Sequence, residues 1–176
     1  ISYPARLPGF KGLVDQLFRN LGVTPTAVQQ TAIKAQQFDT AIGLLEADIA
    51  GGREKVRRAI AAILTPDITV PNATATHEAL MALGRSREGR IRLITTNFDR
   101  LFEEVQRKAG VKVDHYHAPL LPVPKSRWDG LVYLHGLLQE APTSTDLDCL
   151  VVSSGDFGLA YLNERWAARF VSELPT

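Results

Sequence analysis

Cysteine is nearly absent from this 176-residue sequence, where Cys149 stands alone. A single thiol excludes an intrachain disulfide framework and a four-cysteine zinc site. Such sparing use of cysteine fits a reducing compartment, so a cytoplasmic location is expected. Long apolar runs are missing as well. No stretch approaches the roughly 18 consecutive apolar residues that would cross a bilayer, and no membrane partner is expected. Nor is there an excess of charge of one sign. The 20 lysines and arginines stand against 19 acids, for a net charge of +1. That balance excludes the strongly basic footprint of a direct nucleic-acid binder. The opening residues Ile1-Ser2-Tyr3-Pro4 lack both the pattern of a signal peptide and an initiator methionine. The expectation is a piece of something longer, with further domains of the same chain or a partner protein beside it.

What is present reads as an ordinary globular composition, with 45% hydrophobic and 22% charged residues. A chain of this length can bury roughly 70% of its unfolded surface, enough for a core without staples. The first half has helical period. Phe10, Leu13, Val14, Leu17 and Leu21 fall on one face, and Gly22 ends that helix. Helices are also predicted from Thr26 to Gln37, from Phe38 to Ile49, from Arg53 to Leu64 and from Thr74 to Leu83. Then the period changes. Ile91–Thr95 is short, apolar and β-branched, the signature of a buried strand. Further strands are predicted at Val111–Tyr116, Leu131–Leu134 and Cys149–Ser153, with helices at Phe98–Ala109 and Phe157–Leu174. Alternation of this kind indicates an α/β protein with a parallel sheet covered by helices on both faces.

Ligands in such sheets bind where loops leave the carboxyl ends of strands. Two polar clusters sit there: Thr95-Thr96-Asn97-Phe98-Asp99, and His135-Gly136. The first also reads as a capping segment, with Thr96 or Asn97 as N-cap and Asp99 near the positive helix end. The two roles are compatible. His135 can serve as a general base near neutral pH, and Gly136 permits close approach of backbone and ligand. Elsewhere, His115 and His117 share a strand face that reads as solvated. His77 reads as structural, and Arg85, Arg87, Arg90 and Arg92 as a solvated basic stretch. Trp166 and Phe170 read as core or as a contact with further chain, and nothing places Tyr161.

These motifs, taken in order, resemble the sirtuin superfamily. Ile1-Ser2 through Leu7-Pro8-Gly9-Phe10-Lys11 is in register with the family's I-S-x-x-x-G-I-P-D-F-R. Pro71-Asn72 with His77-Glu78-Ala79-Leu80 resembles P-N-x-A-H-x-A-L, with extra residues before the histidine. Thr95-Thr96-Asn97-Phe98-Asp99-Arg100-Leu101 resembles T-Q-N-x-D-x-L, Ala109-Gly110 the A-G that follows, and Leu134-His135-Gly136 the L-H-G. The stretch 20–64 is unmatched and reads as an all-helical insertion in one partial domain, 1–176. The resemblance implies a Rossmann-like fragment lacking the first strand and the C-terminal strands.

The resemblance also implies roles. Asn97 would hold the nicotinamide ribose and an ordered water, and Asp99 the carboxamide. Phe10 would shield the scissile bond, and His135 would act as base on a ribose hydroxyl. Ser2, Pro8, Thr95, Thr96 and Gly136 would complete the NAD-binding set, with no metal ligand among them.

Departures from the pattern select among activities. Thr96 replaces the family glutamine. The zinc cysteines are absent, so no zinc is expected. Val151-Val152-Ser153-Ser154-Gly155-Asp156-Phe157 replaces the V-x-F-G-E strand that pairs with a substrate peptide. The pattern resembles the sirtuin-like NAD hydrolases of bacterial anti-phage effectors. NAD is then substrate, cleaved to nicotinamide and ADP-ribose. The partners implied are NAD, further domains or a partner defence protein, and a homo-oligomer. The alternative is a non-catalytic module sensing NAD or ADP-ribose, and a protein deacylase ranks below both.

Overall fold

The computed structural model describes residues 2–123 and 128–174, so Ile1 of the opening motif lies outside the described residues. After a 3-10 turn at Tyr3–Ala5 come four helices: α1 (Phe10–Leu21), α2 (Ala27–Lys34), α3 (Phe38–Asp48) and α4 (Gly52–Ile63). Gly22 at φ 66° closes α1, as its position predicts. The Thr26–Gln29 capping box starts α2, donating and accepting in both directions. Helix α5 (Ala75–Leu83) leads to β1 (Arg92–Thr95), α6 (Leu101–Ala109), β2 (His115–His117) and β3 (Gly130–Tyr133). The chain closes with α7 (Ser144–Asp148), α8 (Ser154–Phe157), a π-helical turn (Gly158–Asn163) and α9 (Trp166–Ser172).

The strands form a parallel sheet in the order β1-β3-β2. Every residue of the central strand β3 is buried, as a strand covered on both faces requires. Leu131 and Tyr133 pack with Met81 of α5 and with Phe102 and Val105 of α6. Val132 and Leu134 pack on the other side with Ala160, Ala167 and Phe170 of the closing helices. The fold is therefore α/β and Rossmann-like, with helices on both faces of the sheet. Helices α1 to α4 do not stand apart from it. Their buried Leu17, Ile42, Leu45, Val56 and Ile60 share one apolar cluster with Leu138, Leu147, Leu150 and Val152.

Four local expectations are corrected. Strand β2 begins at His115, and residues 111–114 are irregular, with Asp114 contributing one carbonyl to Leu131 N–H. The segment Cys149–Ser153 joins no sheet, and Cys149 closes α7 in a helical conformation. Its backbone link to the sheet region is Val151 N–H on the His135 carbonyl at 2.8 Å. The last helix is broken into α8, the π turn and α9, with Arg165 at φ 59° between the latter two. Helix α6 starts at Leu101 rather than Phe98, because Phe98 turns into the cluster beneath α1 and α4.

Candidate functional site

Residues 96–99 leave the carboxyl end of β1, and His135 lies just past the end of its neighbour β3. The two polar clusters of the sequence thus meet at adjacent strand ends. A cavity of about 330 Å³ opens there, lined by Ser2, Pro8, Phe10, Thr96, Asn97, Asp99 and His135. Leu7, Leu13, Leu64, Phe98, Val151 and Phe157 supply its apolar walls. Two predicted residues stand outside the lining. The hydroxyl of Thr95 accepts the Asn97 N–H at 3.0 Å and so shapes the loop beneath the cavity. Gly136 packs away from it. At φ 98°, a Cβ there would come within 2.9 Å of the Cys149 carbonyl. The close approach that this glycine permits is to its own chain. Gly136→Ala is expected to destabilise the fold by about 2–3 kcal/mol, from backbone strain and overpacking together. Chemical unfolding measures it, and a loss below about 0.5 kcal/mol would show a pliable contact.

Three side chains form the polar floor. Ser2 Oγ donates to Asp99 Oδ2 at 2.7 Å, and Asn97 Nδ2 donates to Ser2 Oγ at 3.0 Å and to Asp99 Oδ2 at 3.2 Å. The other carboxylate oxygen, Oδ1, accepts the Leu101 N–H at 3.2 Å. The N-cap of α6 is Arg100 rather than Thr96 or Asn97, and Asp99 from the preceding position satisfies the first N–H of the helix while it binds Ser2 and Asn97. The turn at Tyr3–Ala5 delivers Ser2, with Ala5 and Leu7 buried against Ala73 and Leu101.

His77 lies under this floor, fully buried, with Nε2 at 3.4 Å from Ser2 Oγ and 3.9 Å from Asp99 Oδ1. Burial holds its pKa below the usual histidine value, and Asp99 only partly offsets this. With hydrogen on Nε2, the neutral ring completes Ser2. The serine oxygen then accepts from Asn97 and His77 while its own hydrogen goes to Asp99. The structural, hydrogen-bonded role read for His77 does not name Ser2 as its partner. A separation of 75 residues from Ser2 leaves no local signal.

Across the cavity, His135 Nε2 lies 2.8 Å from Tyr161 Oη. Phe157 meets the imidazole edge-on at 5.1 Å between centroids, and Phe98 lies at 6.5 Å. This aromatic setting lowers the histidine pKa by desolvation, so the ring is neutral near pH 7. Tyr161 is a site neighbour that nothing in the sequence placed.

The remaining histidines take other roles. His115 is not on a solvated face: Gln106 Nε2 donates to its Nε2 at 2.8 Å, and its Nδ1 faces Glu103 at 3.3 Å. Among the described residues, no three histidine, cysteine or acidic side chains gather as a metal site would require. No described helix is long and apolar enough to cross a membrane.

Fold and cavity together describe a Rossmann-like α/β protein with a polar-floored cavity at the carboxyl ends of neighbouring parallel strands. Residues 91–175 match the SIR2-like domain family, which supports a sirtuin-like assignment and points to NAD-related chemistry at that level. The chain is also 32% identical over 179 residues to an uncharacterised protein, y4cA, of Sinorhizobium fredii. That alignment takes in 99% of this chain but only 15% of the relative's length. No solved structure matches the chain.

Proposed function

We propose that this chain carries the nicotinamide half of an NAD-hydrolysing site, releasing nicotinamide and ADP-ribose. The observation that carries the reading is the Ser2–Asn97–Asp99 cluster facing a neutral His135 across one cavity. At about 330 Å³ the cavity lies at the lower end of the roughly 300–1,000 Å³ range of small-molecule sites. That suits a nicotinamide–ribose unit rather than a whole dinucleotide. Asp99 Oδ1 keeps a lone pair for a carboxamide N–H after accepting from Leu101. Phe10, tilted against Phe38 at 5.8 Å between centroids, helps to keep water from the bond to be broken. Cleavage builds positive charge on the ribose carbon, which the Asp99 carboxylate and the fixed dipoles of Asn97 and Ser2 stabilise. His135 takes a proton from a ribose hydroxyl, water bonds to the ribose carbon as neutral nicotinamide leaves, the water's proton restores the hydroxyl, and the proton on His135 passes to solvent.

Water is favoured over acyl-lysine because the stretch after Val151 turns directly into the Ser153–Asp156 capping box of α8. A peptide-pairing strand would need that backbone free. The setting we propose, on the resemblance to anti-phage effectors, is an effector domain within a larger assembly. The test is nicotinamide release by the intact protein, with Asn97→Ala and His135→Ala beside it. Each substitution is expected to lower the rate about 100-fold or more. Unchanged release in both would sink the site. Tight ADP-ribose binding without release, in the activated assembly, would replace the reading with a sensor.

A further inference from the structure

We propose that Tyr161 is a positioning residue for His135, holding Nε2 so that Nδ1 is the nitrogen that meets the ligand. The inference rests on the hydrolase reading above. His135 lines the cavity and Tyr161 does not, yet the tyrosine hydroxyl lies 2.8 Å from Nε2. That nitrogen is therefore taken by a group outside the cavity. Nδ1 is left for a ribose hydroxyl.

For Nδ1 to accept a proton, the ring hydrogen must sit on Nε2 and be donated to Tyr161 Oη. When Nδ1 gains the proton, the ring becomes an imidazolium and the Nε2–H bond to Tyr161 becomes charge-assisted. Tyr161 thus does for this histidine what an orienting partner does in a catalytic triad: it fixes tautomer and aim, and it stabilises the cation. The rings around it restrict any other pose. Tyr161 stacks on Phe157 at 6.0 Å and 22°, and both stand edge-on to the imidazole.

The backbone supports the assignment. Tyr161 lies in the π-helical turn Gly158–Asn163, a geometry rare in proteins and concentrated at functional sites. Burial raises the tyrosine pKa, so the hydroxyl keeps its hydrogen at neutral pH. Other titratable groups near His135 are spoken for or remote from Nε2. Asp99 lies across the cavity, Asp156 is turned into Arg57 and Arg53, and Cys149 is behind Gly136.

Tyr161→Phe in the intact protein tests this, since it keeps the stacked ring and removes only the hydroxyl. Three results are expected. The turnover rate falls about tenfold or more, while KM changes less than about twofold. The acidic limb of the rate profile moves to lower pH, because the imidazolium loses its acceptor in a site that is already desolvating. In nitrogen-15 spectra of labelled histidine, His135, assigned by its loss in His135→Ala, leaves the Nε2–H form. An unchanged rate and acidic limb would overturn the proposal, as would a limb displaced to higher pH. If the parent protein releases no nicotinamide, the hydrolase reading fails. The nitrogen spectra still decide Tyr161 on their own, and an unaltered tautomer in Tyr161→Phe would end the proposal there.

Discussion

Replacing Arg57 with methionine is expected to destabilise the fold by about 3–5 kcal/mol, the range for removing one partner of a buried ion pair. The guanidinium is fully buried. Its Nε donates to Glu46 at 2.5 Å, Nη1 to the Leu150 carbonyl at 2.6 Å, and Nη2 to Asp156. Methionine fills much of the same space, so the loss reports the charge and its hydrogen bonds rather than a cavity. Both carboxylates would stay in the interior with Arg53 as their remaining cation among the described residues, and Arg53 is already shared with Asp148 at 2.8 Å. Arg53→Met, on a partly exposed side chain, is expected to cost only about 1 kcal/mol. Urea unfolding of the two variants measures the contrast. A loss below about 1 kcal/mol for Arg57→Met would mean that water reaches the cluster.

The same cluster sets an acid limit. Burial pushes the Asp156 pKa up. The Arg57 charge and the hydrogen bonds from Ser153, Arg57 and Val152 outweigh this and bring it below its ordinary value of 3.8. A depressed carboxylate contributes stability that is fully present above its unfolded pKa and is lost as pH falls through the folded one. The clamp therefore holds at neutral pH and releases only in strong acid. It matters to the cavity because α8, which carries Phe157 and leads into the π turn with Tyr161, begins at the Ser153–Asp156 capping box.

Arg57 also shows where sequence reading stops. The helical period of Arg53–Leu64 puts Val56 and Ile60 on one face, and that face is buried. It says nothing about an arginine inside the stripe, because the compensating acids come from α3 and α8. Similarly, Leu150-Val151-Val152 has the alternation of a strand. Leu150 and Val152 do face one cluster and Val151 another. Alternation fixes which way side chains point, but a ladder needs a neighbouring backbone, and here Val151 N–H meets the His135 carbonyl with no strand beside it among the described residues. Gly158 stands where α8 gives way to the π turn, but the break before α9 has no glycine or proline to mark it. Arg165 occupies the left-handed conformation that a glycine would have advertised.

The cavity was more legible than the helix ends. Asn97, Asp99 and His135 follow strands that the apolar β-branched runs revealed, and strand ends are where ligands collect. Ser2, Pro8 and Phe10 were placed by resemblance, and the fold brings them to the same cavity. His77 and Tyr161 were not legible as site residues. Each meets its partner through a long-range hydrogen-bonding contact: His77 lies in a motif that the resemblance covers but that assigns it no role, and the residues around Tyr161 read as ordinary helix.

Asp99→Asn is expected to do the most damage to the site, despite nearly preserving its shape. Both carboxylate oxygens accept. Oδ2 takes Ser2 Oγ–H and the Asn97 amide, and Oδ1 takes the Leu101 N–H. An amide offers one oxygen and one NH₂ group, so either flip sets a donor against a donor. If the NH₂ faces Ser2, the serine must rotate, and the bonds from Asn97 and His77 to its oxygen are disturbed in turn. If it faces Leu101, the first N–H of α6 loses its acceptor in a buried position. Either way one buried donor goes unsatisfied, at about 1–3 kcal/mol. The negative charge that would answer the developing cation on ribose is lost as well. Nicotinamide release is expected to fall at least about 100-fold, beyond what the stability loss alone explains. Ser2→Ala provides the comparison, since Oδ2 keeps its bond to Asn97 and the charge stays. Its expected cost is about 1 kcal/mol, with a smaller loss of rate. Chemical unfolding and nicotinamide release on both variants decide it. Equal stability for Asp99→Asn and the parent protein would show that Asp99 is not the acceptor for all three donors.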